Sequence, residues 1–375
     1  MRTFKFKLYR SKRTKHLDRQ VGIAAAIWNK CIELHKGYYR FTGKFLPLHR
    51  LQRQLTKIKK RERYFYWSGL GSQAIQEIAE RVDRGYRAFF RKDVKRPPKF
   101  RSFRKFSSFT LKQAGWGFVG DNEIRIGKKV YKYHKSRDVV GRPKTVTIKK
   151  NAMGEWFVFV VCDDSGIESK PYPKTGRSAG FDFGLKNFLT VNDGRKIDSP
   201  EFLKQALDEL RAKSREVSTK VKGSGNWHKA RIDLARCHDD IANRRDDWQW
   251  KLADELVREF DDLCFETLSM KAMQKRWGRK VSDLAFPEFL QKVEWLCRKR
   301  HKTFVKVGRW EPTSKMCSAC GWKNDVLSLN DRVWECDGCG AVHDRDVNAA
   351  INILELGHQL TEEGASVTAL PCCSC

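Results

Sequence analysis

The first ten residues of the chain alternate between apolar and basic positions. Phe4, Phe6 and Leu8 fall on one face of an extended segment, whereas Lys5 and Lys7 fall on the other. A period of two residues is typical of a strand that buries one face. Residues 1–10 are therefore predicted to form a half-buried strand with a basic outer face.

From residue 16 to residue 92 the apolar positions recur every three or four residues, which is the period of an amphipathic helix. They are Leu17, Val21, Ala24, Trp28 and Cys31, then Leu48, Leu51, Leu55 and Ile58, and finally Ile75, Ile78, Val82, Tyr86 and Phe89. We expect these stripes to form a core. The opposite faces carry many lysines and arginines, which form either a solvated surface or a surface that contacts RNA or DNA.

Residues 93–109 change character at Pro97 and Pro98, which end any helix. Cations and phenylalanines then interleave: Lys95, Arg96, Lys99, Arg101, Arg104 and Lys105 with Phe100, Phe103, Phe106 and Phe109. Cations bind phosphates and rings stack on bases, so the segment is a candidate nucleic-acid-binding surface. The alternative is a strand that buries its phenylalanines and exposes its cations, and the two interpretations are compatible.

Residues 110–163 have the composition of strands. Apolar runs at 146–148 and 156–160 flank a turn at 151–154, which predicts a hairpin. Residues 164–178 are polar and contain Pro and Gly, and we place a domain boundary there.

Three later segments each carry one acidic residue in an apolar context. Asp182 lies in the run 179–183, which ends at Gly184 and leads to a second short strand. Glu266 lies in a buried-strand pattern, and Asp346 precedes an apolar helix. The segments between them read as helices at 201–222, 227–260 and 287–301 and as a strand at 303–307.

A strand with Asp, a strand with Glu and a helix start with Asp follow the order of an RNase H-like nuclease core. Isolated buried carboxylates are costly, but a cluster is stabilised when it binds hard cations such as Mg²⁺. Two such ions can activate a water and stabilise the leaving oxygen in phosphodiester hydrolysis. Taken singly, Asp182 or Glu266 also fits a turn residue or a salt-bridge partner.

Two CxxC pairs lie between the last strand and the last helix. Cys317 and Cys320 are separated by fifteen residues from Cys336 and Cys339. This spacing matches a zinc ribbon, in which four thiolates close a tetrahedral shell around Zn²⁺ and leave no position for water. We therefore expect a structural zinc here. The alternative is two unrelated redox-active or buried cysteine pairs.

The charge balance indicates a polyanionic partner. The chain has 375 residues with 76 Lys and Arg against 45 Asp and Glu, a formal net charge of +31. Nucleic acid fits better than a membrane, because no apolar run approaches the ~18 residues of a transmembrane helix and no signal-peptide core follows Met1. We therefore expect two or three domains and a cytoplasmic, nucleoid-associated protein.

The remaining cysteines do not resemble a secreted disulfide scaffold in a chain of this length. Five lie singly in apolar contexts and are predicted to be buried thiols: Cys31, Cys162, Cys237, Cys264 and Cys297. Cys372, Cys373 and Cys375 end the chain, where we expect a flexible tail rather than a further metal site.

Several segments resemble the TnpB family of insertion-sequence-encoded, RNA-guided DNA nucleases, which are related to type V CRISPR effectors. The three RuvC motifs and the zinc ribbon of that family are similar to these segments: GFDFGLKNFLT, DLCFETLSMKAM, and PTSKMCSACG with CDGCGAVHDRDVNAAINIL. The N-terminal KFKLYR strand, the helical segment and the RPPKFRSF segment are also similar, so the resemblance extends to about residue 356. One departure is Thr267, where the family commonly has Asp or Asn.

The resemblance implies an α+β multidomain fold in which an RNase H-like (RuvC) nuclease carries an inserted zinc ribbon beside a split β-barrel wedge domain and a helical recognition lobe. The implied bounds are 1–15 and 93–170 for the wedge, 16–92 for the lobe, 171–312 and 344–357 for the nuclease, 313–343 for the ribbon and 358–375 for the tail. It also implies that Asp182, Glu266 and Asp346 are catalytic ligands of Mg²⁺ or Mn²⁺, with Asp344 as the competing third acid.

The implied function is an RNA-guided endonuclease that cuts double-stranded DNA next to a short transposon-adjacent motif. Its partners are a guide RNA and target DNA, in a monomeric ribonucleoprotein. Three alternatives remain: a guide-free structure-specific nuclease with the same core, a nuclease-inactive RNA-guided repressor, and a transposase that acts directly on element ends. The presence of all three acids argues against the repressor, and the lack of a recognisable Tyr or Ser nucleophile motif argues against the transposase.

Overall fold

The computed structural model of the chain describes residues 1–167, 170–328 and 331–362. The chain divides into two compact units, Met1–Glu168 and Ser169–Cys375. Each unit combines helices with strands and has its own hydrophobic core, so the fold class is α+β. In the described ranges no helix is long and apolar enough to cross a membrane.

The first unit begins with a strand, continues with helices and ends with strands. Its helices are α1 (Thr14–Thr42), α2 (Leu48–Lys59) and α3 (Ser72–Phe90), with 3₁₀ turns at Glu62–Gly69 and Phe103–Lys105. Its strands are β1 (Arg2–Lys7), β2 (Ser108–Leu111), β3 (Trp116–Gly120), β4 (Glu123–Ile126), β5 (Lys129–Lys132), β6 (Arg142–Lys150) and β7 (Trp156–Asp163).

These strands form two antiparallel sheets, in the orders β1-β7-β6-β2 and β3-β4-β5. The predicted alternation along β1 is confirmed, because Phe4 and Phe6 are buried whereas Lys5 is exposed. A bridge between Leu8 and Tyr133 connects the two sheets. Closure of the sheets into a barrel stays a prediction.

The helices of the first unit pack through the predicted apolar stripes. Leu17, Leu51 and Ile78 lie in one buried cluster. The first helix, α1, ends at Gly43, which has a φ of 64°. Glycine adopts this left-handed conformation without a steric penalty and so ends the helix at this point.

The second unit contains a five-stranded sheet, a small hairpin and helices. Its helices are α4 (Phe202–Gln205), α5 (Leu207–Thr219), α6 (Gly225–Glu259), α7 (Met270–Leu284), α8 (Phe286–Arg300) and α9 (Arg345–Glu362). Its strands are β8 (Ser178–Phe183), β9 (Asn187–Val191), β10 (Lys196–Asp198), β11 (Asp262–Glu266), β12 (Thr303–Val307), β13 (Val333–Glu335) and β14 (Val342–Asp344).

The five-stranded sheet has the order β10-β9-β8-β11-β12. The strands β8, β11 and β12 are parallel, whereas β9 and β10 are antiparallel to their neighbours. One face is covered by aromatic side chains. Phe181 stacks on Phe265 with ring centroids 4.6 Å apart, and Phe286 of α8 lies 4.5 Å from Phe183.

The helix α9 lies against the opposite face and leaves room only for glycine at two points. A Cβ atom on Gly180 of β8 would lie 2.1 Å from the carbonyl oxygen of Ala350, and one on Gly357 would lie 2.2 Å from Sγ of Cys264. Real Cβ atoms do not approach other atoms so closely. The two glycines therefore allow the helix and the sheet to approach backbone to backbone.

Some element boundaries differ from the sequence predictions. The helical pattern 201–222 is divided at Ala206 into α4 and α5, and the carboxylate of Asp283 accepts the N–H of Leu203 at 3.0 Å in the short first piece. The helix α7 covers residues for which the pattern predicts no element. The last helix continues past residue 357 to Glu362, because Leu360 still packs on the sheet cluster. The predicted tail therefore begins inside α9, and residues 363–375 lie outside the described residues.

Candidate metal centres

Two of the predicted acids are neighbours on adjacent parallel strands. The register pairs Gly180 with Cys264 and Phe181 with Phe265, so Asp182 and Glu266 follow side by side. Alternation along each strand turns both away from the phenylalanines, toward the face that α9 covers. The two carboxyl groups are hydrogen-bonded to each other, and Glu266 also accepts the N–H of Phe183 at 3.4 Å.

The third acid comes from the first turn of α9. Because that helix is seated on Gly180, its N-terminus lies over the same strand ends, and the charge of Asp346 acts on Asp182. Arg332 donates to both carboxylate oxygens of Asp346 at 3.3 Å. Sequence reasoning missed Arg332, because an arginine between two cysteine pairs has no distinguishing pattern.

The electrostatics of this cluster favour a bound cation. Burial raises the pKa of Asp182, and repulsion from Glu266 and Asp346 raises it further, against a smaller opposing effect of Arg345. Burial likewise raises the pKa of Glu266. Without a cation the pair retains a proton at a pH where exposed carboxyls are ionised. A hard divalent cation would take the place of that proton, so this donor set fits Mg²⁺.

The competing acid, Asp344, has a different environment. Its Oδ2 accepts a 2.7 Å hydrogen bond from Lys196, and its Oδ1 accepts the N–H groups of Asp346 and Val347 at 3.1 and 3.2 Å. Burial alone would raise its pKa, but these bonds outweigh burial and hold the pKa below its usual value. Asp344 therefore caps α9, whereas the charge of Asp346 acts on Asp182.

The four cysteines of the CxxC pairs come together. The ligand atoms of Cys317, Cys320, Cys336 and Cys339 all lie within 4.8 Å of one another. Two Sγ–Sγ distances are 3.7 and 3.6 Å, close to the edge of about 3.8 Å that a tetrahedron of Zn–S bonds requires. Gly321 and Gly340 have φ values of 77° and 72°, which give the tight turns that aim the thiols inward. This donor set fits Zn²⁺.

A histidine supports the cysteine cluster from outside it. Nε2 of His343 lies 3.0 Å from Sγ of Cys317, and its ring packs on Trp334 with centroids 4.9 Å apart. Burial would raise the pKa of Cys317, but the N–H groups of Cys320 and Ala319 and the contact with His343 outweigh it and lower the pKa to about 6. The thiol is thus prepared to bind metal as a thiolate.

Buried amides connect the cysteine cluster to α9. Asn348 and Asn352 are 1% and 5% exposed. Asn352 donates to the carbonyls of Thr313 and Met316 at 2.7 Å, immediately before the first cysteine. The sequence carries a weak indication of this role, because two asparagines four residues apart interrupt an apolar helix stripe.

In the first unit, the predicted basic segment is an exposed loop. Its six cations Lys95, Arg96, Lys99, Arg101, Arg104 and Lys105 are all exposed. Phe106 and Phe109 are buried, whereas Phe100 and Phe103 are more than half exposed. The segment therefore buries two of its phenylalanines and exposes its other two together with its cations. Its contact with nucleic acid stays a prediction.

This loop is attached to α1. The indole of Trp28 donates to the carbonyl of Lys99 at 3.0 Å, and Asn29 exchanges two 2.9 Å hydrogen bonds with the backbone of Arg101. The guanidinium of Arg101 lies 4.5 Å from the Trp28 ring centroid. The backbone between Lys99 and Arg101 is thus held in place, while the side chains of both residues stay exposed.

The five isolated cysteines are buried, as predicted; they are Cys31, Cys162, Cys237, Cys264 and Cys297. Burial raises the pKa of Cys31, Cys264 and Cys297 to about 12, which leaves them as inert thiols. The predictions for Cys372, Cys373 and Cys375 fall outside the described residues.

Two family profiles match the chain between residues 159 and 353. The profile OrfB_IS605, described as "Probable transposase", matches residues 159–276. The profile described as "Cas12f1-like, TNB domain" matches residues 286–353. The first contains Asp182 and Glu266, and the second contains the four clustered cysteines and Asp346.

Relatives and a solved structure extend this similarity. A "Putative RNA-guided DNA endonuclease" of Streptomyces pristinaespiralis is 32% identical over 364 residues, covering 95% of this chain and 89% of that protein. A "TnpB-like protein" of Acanthamoeba polyphaga mimivirus is 28% identical over 242 residues, covering 60% of this chain and 46% of that protein. The Cas12f1 chain of a cryo-EM complex with sgRNA and target DNA has a TM-score of 0.59 at 15% identity, covering 92% of this chain and 83% of that chain.

The structural likeness shows that the fold is similar to that of Cas12f1, and the streptomycete relative aligns over nearly the whole chain. Both profiles fall on the segments that carry the acids and cysteines described above. The chain belongs to the TnpB family.

Proposed function

We propose that this protein is an RNA-guided, Mg²⁺-dependent DNA endonuclease of transposon origin. It would cut double-stranded DNA beside a short transposon-adjacent motif, within a monomeric, cytoplasmic ribonucleoprotein. The observation that carries the proposal is the pairing of Asp182 and Glu266 on adjacent parallel strands, with the charge of Asp346 acting on Asp182, in a chain of net charge +31. The name of the streptomycete relative supports it.

In this proposal Asp182, Glu266 and Asp346 hold divalent cations. Two bound cations would activate a water and stabilise the leaving oxygen of a phosphodiester. The sheet fixes the spacing of Asp182 and Glu266, and the capped first turn of α9 orients Asp346. Arg332 balances the charge of Asp346 until a cation binds.

The cysteine cluster would hold a structural zinc. Four protein ligands close the shell, so the metal contributes to folding rather than to the chemical step. The segment 313–343 would then be a zinc ribbon that contacts target nucleic acid, and residues 171–312 and 344–357 an RNase H-like (RuvC) nuclease. The sheet order supports this assignment, because a mixed sheet with the acids on adjacent parallel strands is what that core requires.

The first unit would bind guide RNA and the duplex motif. The helical segment 16–92 would be the recognition lobe, and segments 1–15 and 93–170 the wedge. The exposed cations of 95–105 support a contact with phosphates. Base pairing between guide and target would supply the sequence specificity, which a basic surface cannot supply.

The decisive experiment is purification of the full chain from cells that carry its element, with sequencing of the RNA that co-purifies. The complex is then given supercoiled DNA with a guide-matched target, with Mg²⁺ or with EDTA. Guide-dependent linear product only with Mg²⁺ is the expected result. Cleavage without any bound RNA would favour the guide-free nuclease, and guide-dependent binding without cleavage would favour the repressor.

A further inference from the structure

One tryptophan is exposed in the loop that follows β12. Trp310 is 88% exposed, whereas Trp250 and Trp277, the next most exposed in the described part of the chain, are 37% and 39% exposed. Transfer of an indole out of water lowers the free energy. An indole exposed on the surface therefore contributes less to folding stability than a buried one. An exposed indole near the proposed carboxylate site can stack on a partner with a flat, apolar face.

The position of Trp310 follows from the sheet. Val307 ends β12 and is the register partner of Glu266 on β11. Thr267, which follows Glu266, donates its hydroxyl to the carbonyl of Val307 at 2.8 Å. Trp310 lies three residues beyond Val307, a reach of at most about 11 Å. The indole is therefore within a few nucleotides' length of the acids.

The loop that carries Trp310 is anchored at both ends. On one side it continues from β12, and on the other the N–H of Thr313 donates to the carbonyl of Glu311 at 2.8 Å. The carbonyl of Thr313 accepts from the buried amide of Asn352 at 2.7 Å. An anchored loop loses little conformational entropy when its tip binds a ligand.

The residue next to Trp310 indicates which kind of ligand the ring could bind. Arg309, next to Trp310, is exposed, so a cation for a phosphate accompanies a ring for a base. This combination is typical of sites for single-stranded nucleic acid. A base within a duplex is stacked on both sides and cannot offer its face, so the partner must be an unpaired nucleotide.

We propose that Trp310 stacks on an unpaired base of the DNA strand being cut and thereby positions the scissile phosphate at Asp182, Glu266 and Asp346. This inference rests on the proposed nuclease function and adds a substrate-positioning residue to it. The loop 308–312 would then bind a DNA strand that has already been separated from its complement.

The test compares Trp310→Ala with Trp310→Phe, which retains a stacking ring, and with Val221→Ala, which removes an apolar side chain that is 79% exposed. All are assayed as the full ribonucleoprotein on a guide-matched duplex. We expect Trp310→Ala to lower the cleavage rate about tenfold, the range set by one lost stacking contact. Trp310→Phe should stay within about threefold of wild type, and Val221→Ala should be unchanged. Zinc content and guide-RNA affinity should be the same in all four proteins.

A fluorescence measurement reports stacking directly. In an Asp182→Asn background, which leaves the DNA uncut, 2-aminopurine is placed at successive positions across the cleavage site. Its fluorescence should be quenched at one or two positions, and the quenching should be lost with Trp310→Ala and kept with Trp310→Phe. If wild type cuts guided DNA but Trp310→Ala cuts equally well, or if quenching survives the loss of the indole, the stacking inference is wrong. If wild type cuts no guided DNA, the proposed function itself is wrong.

Discussion

The backbone N–H of Ser318 donates a 2.9 Å hydrogen bond to Oδ1 of Asn348. Ser318 lies between Cys317 and Cys320, and Asn348 lies in the first turns of α9, two residues after Asp346. The amide of Asn348 also donates to the carbonyl of Met316 at 2.7 Å. One buried side chain therefore connects the cysteine cluster to the helix that carries the third carboxylate.

Asn348→Ala should uncouple the two sites. It leaves a buried N–H and a buried carbonyl with one partner fewer, at a cost of about 1–3 kcal/mol. We expect cleavage to fall about tenfold, which corresponds to 1.4 kcal/mol, while zinc content stays at that of wild type. Asn348→Asp keeps the acceptor for Ser318 but loses the donor to Met316, and its defect should be intermediate. The exposed Asn243→Ala is the control, and equal activity of Asn348→Ala and wild type would contradict the coupling.

Loss of the zinc site should act on cleavage from a distance. Cys336→Ser removes one ligand of the cluster and should release the metal and disorder the segment 313–343, because a structural zinc contributes on the order of 10 kcal/mol to local folding. Cleavage should drop severely, whereas guide-RNA binding should survive. Metal content by mass spectrometry is measured beside both assays, with Cys237→Ser as the thiol control. A zinc-free variant that cuts at the wild-type rate would show that the ribbon is an independent appendage.

Each acid of the cluster should be required for cleavage but not for binding. Asp182→Ala, Glu266→Ala and Asp346→Ala should each lower the cleavage rate by about three orders of magnitude or more, with RNA and DNA affinities little changed. Asp344→Ala should be milder, because Asp344 caps α9 and pairs with Lys196. Full cleavage by Asp346→Ala beside an inactive Asp344→Ala would reverse the assignment of the third ligand.

The raised pKa of Asp182 gives a pH dependence to stability in the absence of metal. Because Asp182 is buried, its carboxyl keeps a proton in the folded state at a pH where the unfolded chain releases it. The free energy of unfolding therefore falls as pH rises from the pKa of Asp182 in the unfolded chain toward its higher pKa in the folded protein. Asp182→Asn keeps the shape without the charge. In EDTA its melting temperature should exceed that of wild type at pH 8, and the difference should shrink as pH approaches 4. A constant difference across that range would contradict the argument, and added Mg²⁺ should stabilise only wild type.

The exposed cations of the first unit should control the salt dependence of RNA binding. Reversing Lys99, Arg101 and Arg104 to Glu should weaken binding and reduce the slope of log affinity against log salt by about three. The control reverses Lys220, Lys222 and Lys229, which are also exposed, and so makes the same change in net charge. An unchanged slope in the first variant would place this loop away from nucleic acid.

The close approach of α9 to the sheet should not tolerate a methyl group. Gly180→Ala would place Cβ against the carbonyl of Ala350, and overpacking of this kind costs about 1–3 kcal/mol. We expect a lower midpoint in urea and reduced cleavage, because α9 carries Asp346. Gly225→Ala meets no atom within 4 Å and serves as the control. Equal stability of both variants would mean that the helix can move away without consequence.

Much of the fold was predictable from local pattern. Period-two alternation predicted β1, and the run 303–307 predicted β12 with the bounds that the structure has. Helical periodicity predicted α8 within one residue at each end. These elements were predictable because burial of one face imposes its period on the sequence itself. The break at Ala206 and the helix α7 were not, because packing against distant residues decides them.

For the candidate sites, too, some features were predictable from the sequence and others were not. The sequence by itself determined which residues carry chemistry, since CxxC spacing and single acids in apolar runs are local features. Only the tertiary structure decided that Glu266 stands beside Asp182 and that the charge of Asp346 acts on Asp182, whereas Asp344 pairs with Lys196. It also decided that Arg332 and Asn348 bond to Asp346 and to the cysteine segment. These relationships depend on strand register and on the seating of α9 upon Gly180. Both are set by contacts between residues far apart in the chain, which no local pattern encodes.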